Sequence, residues 1–97
     1  MTKKTQSQSV VVTTEHRGVF FGYTEEPHLR PIVLKEARMC LYWSQEIKGV
    51  MGLASEGPNS FCRVGPAVPE LTLEKVTAVI RTTDKAAQAW EKGPWAK

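Results

Sequence analysis

Short runs of β-branched and aromatic residues, separated by glycine, proline and polar turns, most constrain what this chain can fold into. The runs SVVVTT and VFFGYT flank the polar stretch EHRG. Two strand-forming runs around a short polar turn are typical of an antiparallel hairpin. Gly22, inside the second run, indicates a bulge or a sharp bend of the kind that small barrels use at their corners. The first part of the chain therefore predicts a hairpin within a bent sheet.

The run IVLKEARMCLYW in the middle of the chain allows two interpretations. It predicts either two strand pieces with a bend at residues 36–38 or a short helix over residues 34–41, because short apolar runs do not distinguish the two periods. The run VMGLA predicts a short strand interrupted by Gly52. The stretch GLASEGPNSFCRVGPAVPEL, residues 52–71, then predicts one long loop, since it holds three glycines and three prolines.

The remainder of the chain predicts one strand and one helix. In LTLEKVTAVIRTT the apolar residues repeat with period two, as in a half-buried strand. Thr83 or Asp84 can cap the helix-forming run KAAQAWEK, and Gly93 ends it. We expect a helix over about residues 84–92, with Trp90 on its apolar stripe.

Together these elements predict a small α+β domain that is mostly β. Five to six short strands would form a bent sheet or an SH3-like barrel, with a short C-terminal helix. Residues 10–97 form the single domain, and residues 1–9, MTKKTQSQS, form a disordered tail. The core of so short a chain is marginal, so we expect a homo-oligomer in which partner subunits complete it.

Signatures of catalysis and of metal binding are missing from the sequence. It contains no Walker-type phosphate loop, no GxSxG and no HExxH. Cys40 and Cys62 form no CxxC pair, and His16 and His28 lie in other contexts, so we expect neither a zinc site nor a nucleophile–base pair. We predict that the protein is not an enzyme and that it uses no metal and no cofactor.

Charge and hydropathy limit the partners of the protein. No run of the sequence is apolar enough to span a membrane, and its first residues do not form an export signal. The net charge of +3 and the pI near 9.0 suit an anionic ligand or a nucleic acid. We therefore expect a cytoplasmic protein that makes no membrane contact.

The 52–71 stretch is the first candidate binding site. Turns at Gly57 and Gly65 predict backbone N–H groups that point at an anion, and an arginine adds a charge-assisted fork. An aromatic residue at the end of the preceding strand can stack on a base. The candidate ligand-binding residues are Arg63, Asn59, Ser60, Ser55, Trp43, Arg38 and Arg17. Each has an ordinary explanation as a turn, core or surface residue, but the concentration of several in one long stretch favours a nucleotide site.

The stretch HRGVFFGY is the second candidate. Alternation sends Phe20 to one face of its strand and Phe21 and Tyr23 to the other, so at least one aromatic side chain can reach the surface. Basic residues beside exposed aromatic residues are typical of RNA-binding proteins. A core strand with a charged turn also explains this pattern, and we favour that interpretation.

The runs VVVTTEHRGVFFGY, IVLKEARMCLYW, GVMGLASEGPNSFCRVGP and VTAVIRTT resemble, over about residues 10–95, short uncharacterised accessory proteins of tailed phages. The small size and the mild positive charge also resemble the phage anti-defence proteins that act as sponges for nucleotide immune signals of the host. This resemblance implies a non-catalytic protein that sequesters a small anionic nucleotide, with pockets at the subunit interfaces of a homo-oligomer. It also implies immune evasion in the cytoplasm of a bacterial host.

The stretch GVFFGYTEEPHLRPIVLKEA resembles Sm-like and SH3-like barrels. That resemblance implies an alternative function as a nucleic-acid-binding or structural accessory protein. The sequence lacks the short asparagine-containing loop with which Sm-like proteins hold uridine, which makes nucleic acid the less favoured partner.

Overall fold

A computed structural model describes residues 7–15, 18–42, 49–58 and 62–92. Within these residues six strands and two helices form a small α+β domain that is mostly β, which confirms the predicted fold class. The elements are β1 (Gln8–Thr14), β2 (Val19–Thr24), β3 (Ile32–Tyr42), α1 (Gly49–Ser55), β4 (Arg63–Val64), β5 (Val68–Leu73), β6 (Val76–Arg81) and α2 (Asp84–Glu91). No helix in the described ranges is long and apolar enough to cross a membrane.

The sheet is open and is built around the predicted hairpin. β1 and β2 pair antiparallel, with Val11 opposite Phe21. β3 lies beside β2, and β6 lies on the other side of β1. Two short strands pair with the outer edge of β3: β5 with its first half and β4 with its second half.

The sheet coils strongly along its diagonal. Leu73, at the end of β5, pairs with Ile32 at the start of β3, whereas Val76, at the start of β6, pairs with Thr14 at the end of β1. These are opposite corners of the sheet. Only two residues separate Leu73 from Val76, so the corners approach within about 11 Å, the reach of three Cα–Cα steps. Such a shear is how small sheets approach closure into a barrel.

The two faces of the coiled sheet bury separate cores. The concave face encloses one cluster of side chains from β1, β3 and β5. The other face carries α1 and α2, whose Leu53 and Trp90 pack on Val11 and Phe21. The Trp90 ring stacks on Phe21 with centroids 5.1 Å apart and planes 6° from parallel. Strand alternation explains the division, since Val10 and Val12 enter the first cluster and Val11 the second.

The C-terminal helix begins as predicted. The hydroxyl of Thr83 accepts a hydrogen bond from the amide of Ala86 at 3.0 Å, the geometry of an N-cap. The same hydroxyl donates to the carbonyl of Ser55 at 2.7 Å and so joins the start of α2 to the end of α1. The observed range, Asp84–Glu91, agrees with the predicted helix at 84–92 to within one residue.

The prediction of a strand over VMGLA was wrong, because this segment belongs to α1. In the helix Leu53 and Ala54 are buried in the core beside Trp90. A short apolar run is compatible with both a helix and a strand, and here this burial favours the helix. The prediction that residues 52–71 form one long loop was also wrong. It contains the end of α1, β4 and the first part of β5.

Two strand predictions need correction at residues with positive φ. Residues 32–42 form one continuous strand, and not two strand pieces or a helix at 34–41. The bend that was predicted at residues 36–38 is present at Glu36, whose φ is 51°. The run LTLEKVTAVIRTT is broken by Lys75, at φ 54°, into β5 and β6. A period of two does not reveal such a break, because the pattern continues on both sides of it. β1 begins at Gln8, inside the predicted tail, since Gln8 pairs with Thr24.

Candidate functional site

The helix-bearing face of the sheet is open beyond the end of α2. Two adjoining cavities lie there and share the side chain of Tyr23, and we call them together the Tyr23 groove. The larger cavity, of about 390 Å³, is lined by Ser7, Tyr23, Thr24, Glu25, Glu26, Leu29, Val33 and Lys35. The smaller cavity, of about 190 Å³, is lined by Phe21, Tyr23, Glu36, Arg38, Ala67 and Glu91.

Tyr23 occupies the boundary between the two cavities. Its ring meets Phe21 edge to face, with centroids 5.3 Å apart, and its hydroxyl donates a hydrogen bond to the carboxylate of Glu91. Burial raises the pKa of Tyr23 well above its usual value, and the hydrogen bond to Glu91 and the charge of that carboxylate raise it further. The phenol is therefore a neutral hydrogen-bond donor throughout the physiological pH range.

Arg38 is the half-buried cation of the smaller cavity. Its Nη1 donates to the carbonyl of Gly65 at 3.0 Å. Arg38 forms no ion pair with any residue in the described part of the chain. A guanidinium carries five N–H donors, so most of its donor capacity remains available to a ligand.

The bend at Glu36 determines which face of β3 carries Arg38. Leu34 and Ala37 both enter the concave core although they are three residues apart. In a regular strand a spacing of three would place them on opposite faces. The extra residue therefore shifts the alternation, and Arg38 lies on the helix-bearing face with Cys40, beside Phe21 and Tyr23.

Lys35, in the larger cavity, already has a partner. Its Nζ lies 2.6 Å from a carboxylate oxygen of Glu70 on β5, and this contact raises the pKa of Lys35 through the hydrogen bond and the charge of Glu70. Both side chains are exposed, so solvent screens much of the attraction. Lys35 therefore has less charge and fewer hydrogen-bond donors available to a ligand than Arg38 has.

Acidic residues outnumber basic ones around the groove. Its lining contains four carboxylates and two cations. The carboxylates come from Glu25, Glu26, Glu36 and Glu91. Each cavity has two carboxylates and one cation, but Lys35 is paired with Glu70 and Arg38 forms no ion pair within the described residues. Arg38 is therefore the better candidate to bind an anion, whereas the larger cavity suits a neutral group that donates hydrogen bonds.

The structure separates the residues that the sequence assigned to one site. Arg38 lies in the groove, and Ser55 is exposed at the end of α1. Arg63 is exposed on β4, and alternation with the buried Val64 places it on the concave face, opposite Arg38. The predicted residues Asn59, Ser60, Trp43 and Arg17 lie outside the described residues.

The two glycine amides that were expected to point at an anion are already used. The amide of Gly57 donates to the carbonyl of Gly52 at 3.1 Å, and the amide of Gly65 donates to the carbonyl of Met39 at 3.0 Å. The first bond closes the end of α1, and the second extends the pairing of β3 with β4. These glycines shape the backbone, and neither amide is free to form an anion nest.

Sequence reasoning missed most of the groove. Strand alternation indicated that an aromatic residue of VFFGY can reach the surface. Phe20 and Tyr23 are both half-buried, and Tyr23 is the one that lines the groove. Glu91 gave no signal, because its contact with Tyr23 spans 68 positions of the sequence. Among the described residues no three histidine, cysteine or acidic side chains gather in a way that could hold a metal ion.

Comparison with known proteins places the chain in a family. No curated protein and no solved structure matches it. The family model described as a domain of unknown function, DUF6948, matches residues 7–90, a range that includes every strand and nearly all of α2. Because the match extends over most of the sequence, the chain belongs to the DUF6948 family.

Proposed function

We propose that the protein binds a small anionic, nucleotide-type ligand in the Tyr23 groove and carries out no chemical step on it. The observation that supports this proposal is Arg38, a half-buried guanidinium with one hydrogen bond and no ion pair within the described residues. Charged hydrogen bonds from arginine to phosphate are among the strongest that proteins make. A cation held beside an aromatic wall with unused donors therefore suits a phosphate.

The two cavities match the parts of a nucleotide. The smaller cavity, at Arg38, holds the phosphate. The larger cavity has apolar walls at Leu29 and Val33 for a base, and its volume lies in the range of small-molecule sites. The carboxylates of Glu25 and Glu26 accept hydrogen bonds from ribose hydroxyls or from the exocyclic amines of a base.

The charges around Arg38 favour a phosphodiester over a phosphomonoester. Glu36 and Glu91 line the same cavity and repel an anion. A monoester carries about −1.5 to −2 charges at neutral pH, whereas a diester carries a single charge. The repulsion therefore costs a monoester more, and we expect cyclic mononucleotides to bind more tightly than the corresponding 5′-monophosphates.

The biological role that we propose is sequestration of a nucleotide immune signal of a bacterial host by a phage-encoded protein in the host cytoplasm. It rests on the resemblance to phage accessory proteins given above. Sequestration requires that the ligand leave the protein unchanged. A bound nucleotide should therefore be recovered intact after the protein is denatured by heat.

A melting-temperature screen with matched arginine variants tests the proposal. Cyclic and ADP-ribose-type nucleotides at saturating concentration should raise the melting temperature of the wild type, because a ligand that binds only the folded state stabilises it. Arg38→Gln should remove the shift, whereas Arg63→Gln, on the opposite face, should retain it. If no nucleotide raises the melting temperature, nucleotide binding is wrong.

Two other outcomes would favour a different binding site or a different ligand. Loss of binding in Arg63→Gln with normal binding in Arg38→Gln would favour the loop site that the sequence predicts. Binding to RNA or DNA that weakens steeply with added salt, without binding of free nucleotides, would favour the nucleic-acid alternative, since released counterions give such binding its salt dependence.

A further inference from the structure

The two edges of the sheet differ in how they are protected. The edge at β3 is broken into β4, which is two residues long, and β5, which contains Pro69. The edge at β6 extends over Val76–Arg81 and contains neither proline nor lysine. Its pairing with β1 shifts by one residue at Thr77 and is regular from Ala78 to Arg81. No strand of the described residues pairs with the outer side of β6. Proteins usually protect such edges with short strands, proline, lysine or bulges. The regular part of β6, residues 78–81, has none of these and is therefore a surface for strand pairing.

The direction of the free hydrogen-bonding groups follows from the pairing with β1. The amide of Thr82 donates to the carbonyl of Ser9 at 3.0 Å, so this pair is hydrogen-bonded. In an antiparallel ladder hydrogen-bonded and non-hydrogen-bonded pairs alternate. The pairs of Arg81 with Val10 and of Val79 with Val12 are therefore non-hydrogen-bonded. The N–H and C=O groups of Val79 and Arg81 point away from β1, towards the open edge.

The side chains next to these groups are apolar and incompletely covered. Ala78, Val79 and Ile80 are half-buried, although they belong to a strand that contacts both cores. A neighbouring strand would satisfy the outward backbone groups and cover these side chains at once. This combination is typical of β-augmentation.

We propose that β6 pairs antiparallel with β6 of a second copy of the chain, with Val79 on the two-fold axis. A two-fold axis perpendicular to a sheet requires one residue to face its own copy. If the two β6 strands overlap over nearly their whole length, the residue on the axis lies at the middle of β6 and is either Ala78 or Val79. Centring on Ala78 places Lys75 opposite Arg81 of the other copy, and like charges directly opposite destabilise a pair. Centring on Val79 places Thr77 there instead and lets the two outward-facing Val79 backbones bond to each other.

Substitution at Arg81 tests the pairing directly. Arg81→Pro removes an N–H that points outward, without removing a hydrogen bond to β1, and proline is tolerated on edges in this position. Arg81→Ala loses the same side chain and keeps the N–H. In sedimentation experiments the wild type and Arg81→Ala should associate reversibly to twice the monomer mass of 10.8 kDa. Arg81→Pro should stay at the monomer mass with an unchanged far-UV circular dichroism spectrum.

Hydrogen exchange provides a second measurement in case Arg81→Pro does not fold. The Val79 and Arg81 amides of the wild type should exchange at least tenfold more slowly at dimer-forming concentration than at a concentration where the chain is monomeric. A wild type that remains monomeric up to millimolar concentration would overturn the proposal. So would a dimer that Arg81→Pro leaves intact, or a dimer in which these two amides gain no protection.

Discussion

The indole Nε1 of Trp90 donates a hydrogen bond to the main-chain carbonyl of Leu53 at 3.1 Å, inside the core between the sheet and the two helices. Trp90 and Leu53 are both fully buried, so water reaches neither group. The bond joins α2 to α1, and the stack on Phe21 joins α2 to the sheet. One side chain thus fixes three elements, and its truncation should be costly.

Two Trp90 variants separate packing from hydrogen bonding. Trp90→Phe retains an aromatic ring on Phe21 but leaves the Leu53 carbonyl unsatisfied, at a cost of about 1–3 kcal/mol. Trp90→Ala also creates a cavity, so we expect a loss of about 3–5 kcal/mol. Urea denaturation followed by circular dichroism measures both. Equal losses in the two variants would show that the hydrogen bond, and not the ring volume, determines the contribution of Trp90.

Tyr23 should make the protein less stable at alkaline pH. Its folded-state pKa is raised above the unfolded value of about 10, so its contribution is fully present below pH 10 and decreases as the pH rises above 10. Denaturation at pH 8 and pH 11 should show a smaller loss of stability in Tyr23→Phe than in the wild type. An equal loss in both proteins would contradict a raised pKa.

Glu91 contributes to that raised pKa, and absorbance spectroscopy can isolate its share. In a Tyr42→Phe background Tyr23 is the remaining tyrosine, because the chain contains two. Its ionisation, followed near 295 nm, should begin at lower pH when Glu91→Gln removes the charge of the carboxylate. The pKa should stay above that of free tyrosine, since burial remains. An unchanged titration would mean that Glu91 does not influence Tyr23.

Glu36 should be replaceable by glycine with a gain in stability. At φ 51° a non-glycine residue is strained by about 1–2 kcal/mol. Glycine relieves this strain but is more flexible in the unfolded chain, so Glu36→Gly should gain about 0.5–1 kcal/mol. Thr72→Gly, at an exposed position of the neighbouring β5 without a positive φ, is the control and should lose stability in the same denaturation assay. A loss at both positions would contradict strain at Glu36.

Comparison of alanine substitutions at Gly49 and Gly57 measures how much steric clash adds to backbone strain. Both have φ near +80°, but a Cβ at Gly49 would meet nothing, whereas one at Gly57 would lie 2.8 Å from the carbonyl oxygen of Ala86. Gly49→Ala should cost about 1–2 kcal/mol from backbone strain alone. Gly57→Ala should cost at least about 1 kcal/mol more, as over-packing of α2 adds to the strain. Equal thermal destabilisation would mean that α2 moves aside freely.

The local elements of the fold could be predicted where one physical signal dominates. The hairpin followed from β-branched runs around a polar turn, and α2 followed from its Thr83 cap. α1 could not be predicted, because the burial of Leu53 beside Trp90 is a tertiary effect. The break at Lys75 was hidden for a related reason, since an αL residue leaves no trace in a hydrophobic pattern.

The candidate site was less predictable than the fold. Arg38 was identified as a candidate ligand-binding residue, but its face depends on one extra residue at Glu36. Glu91 meets Tyr23 only because α2 folds back over the sheet. Long-range contacts of this kind depend on the whole topology, and spacing along the chain carries no record of them.

The position of β1 between β2 and β6 has a consequence for synthesis on the ribosome. The β1–β2 hairpin emerges first, but β6, the second partner of β1, is made more than 60 residues later. Translation adds about 5–20 residues per second, so the edge of the valine-rich strand β1 remains unpaired for several seconds before β6 is made. The nascent chain thus carries an aggregation-prone segment until β6 has been made. Slowing elongation after β2 should therefore lower the yield of folded protein.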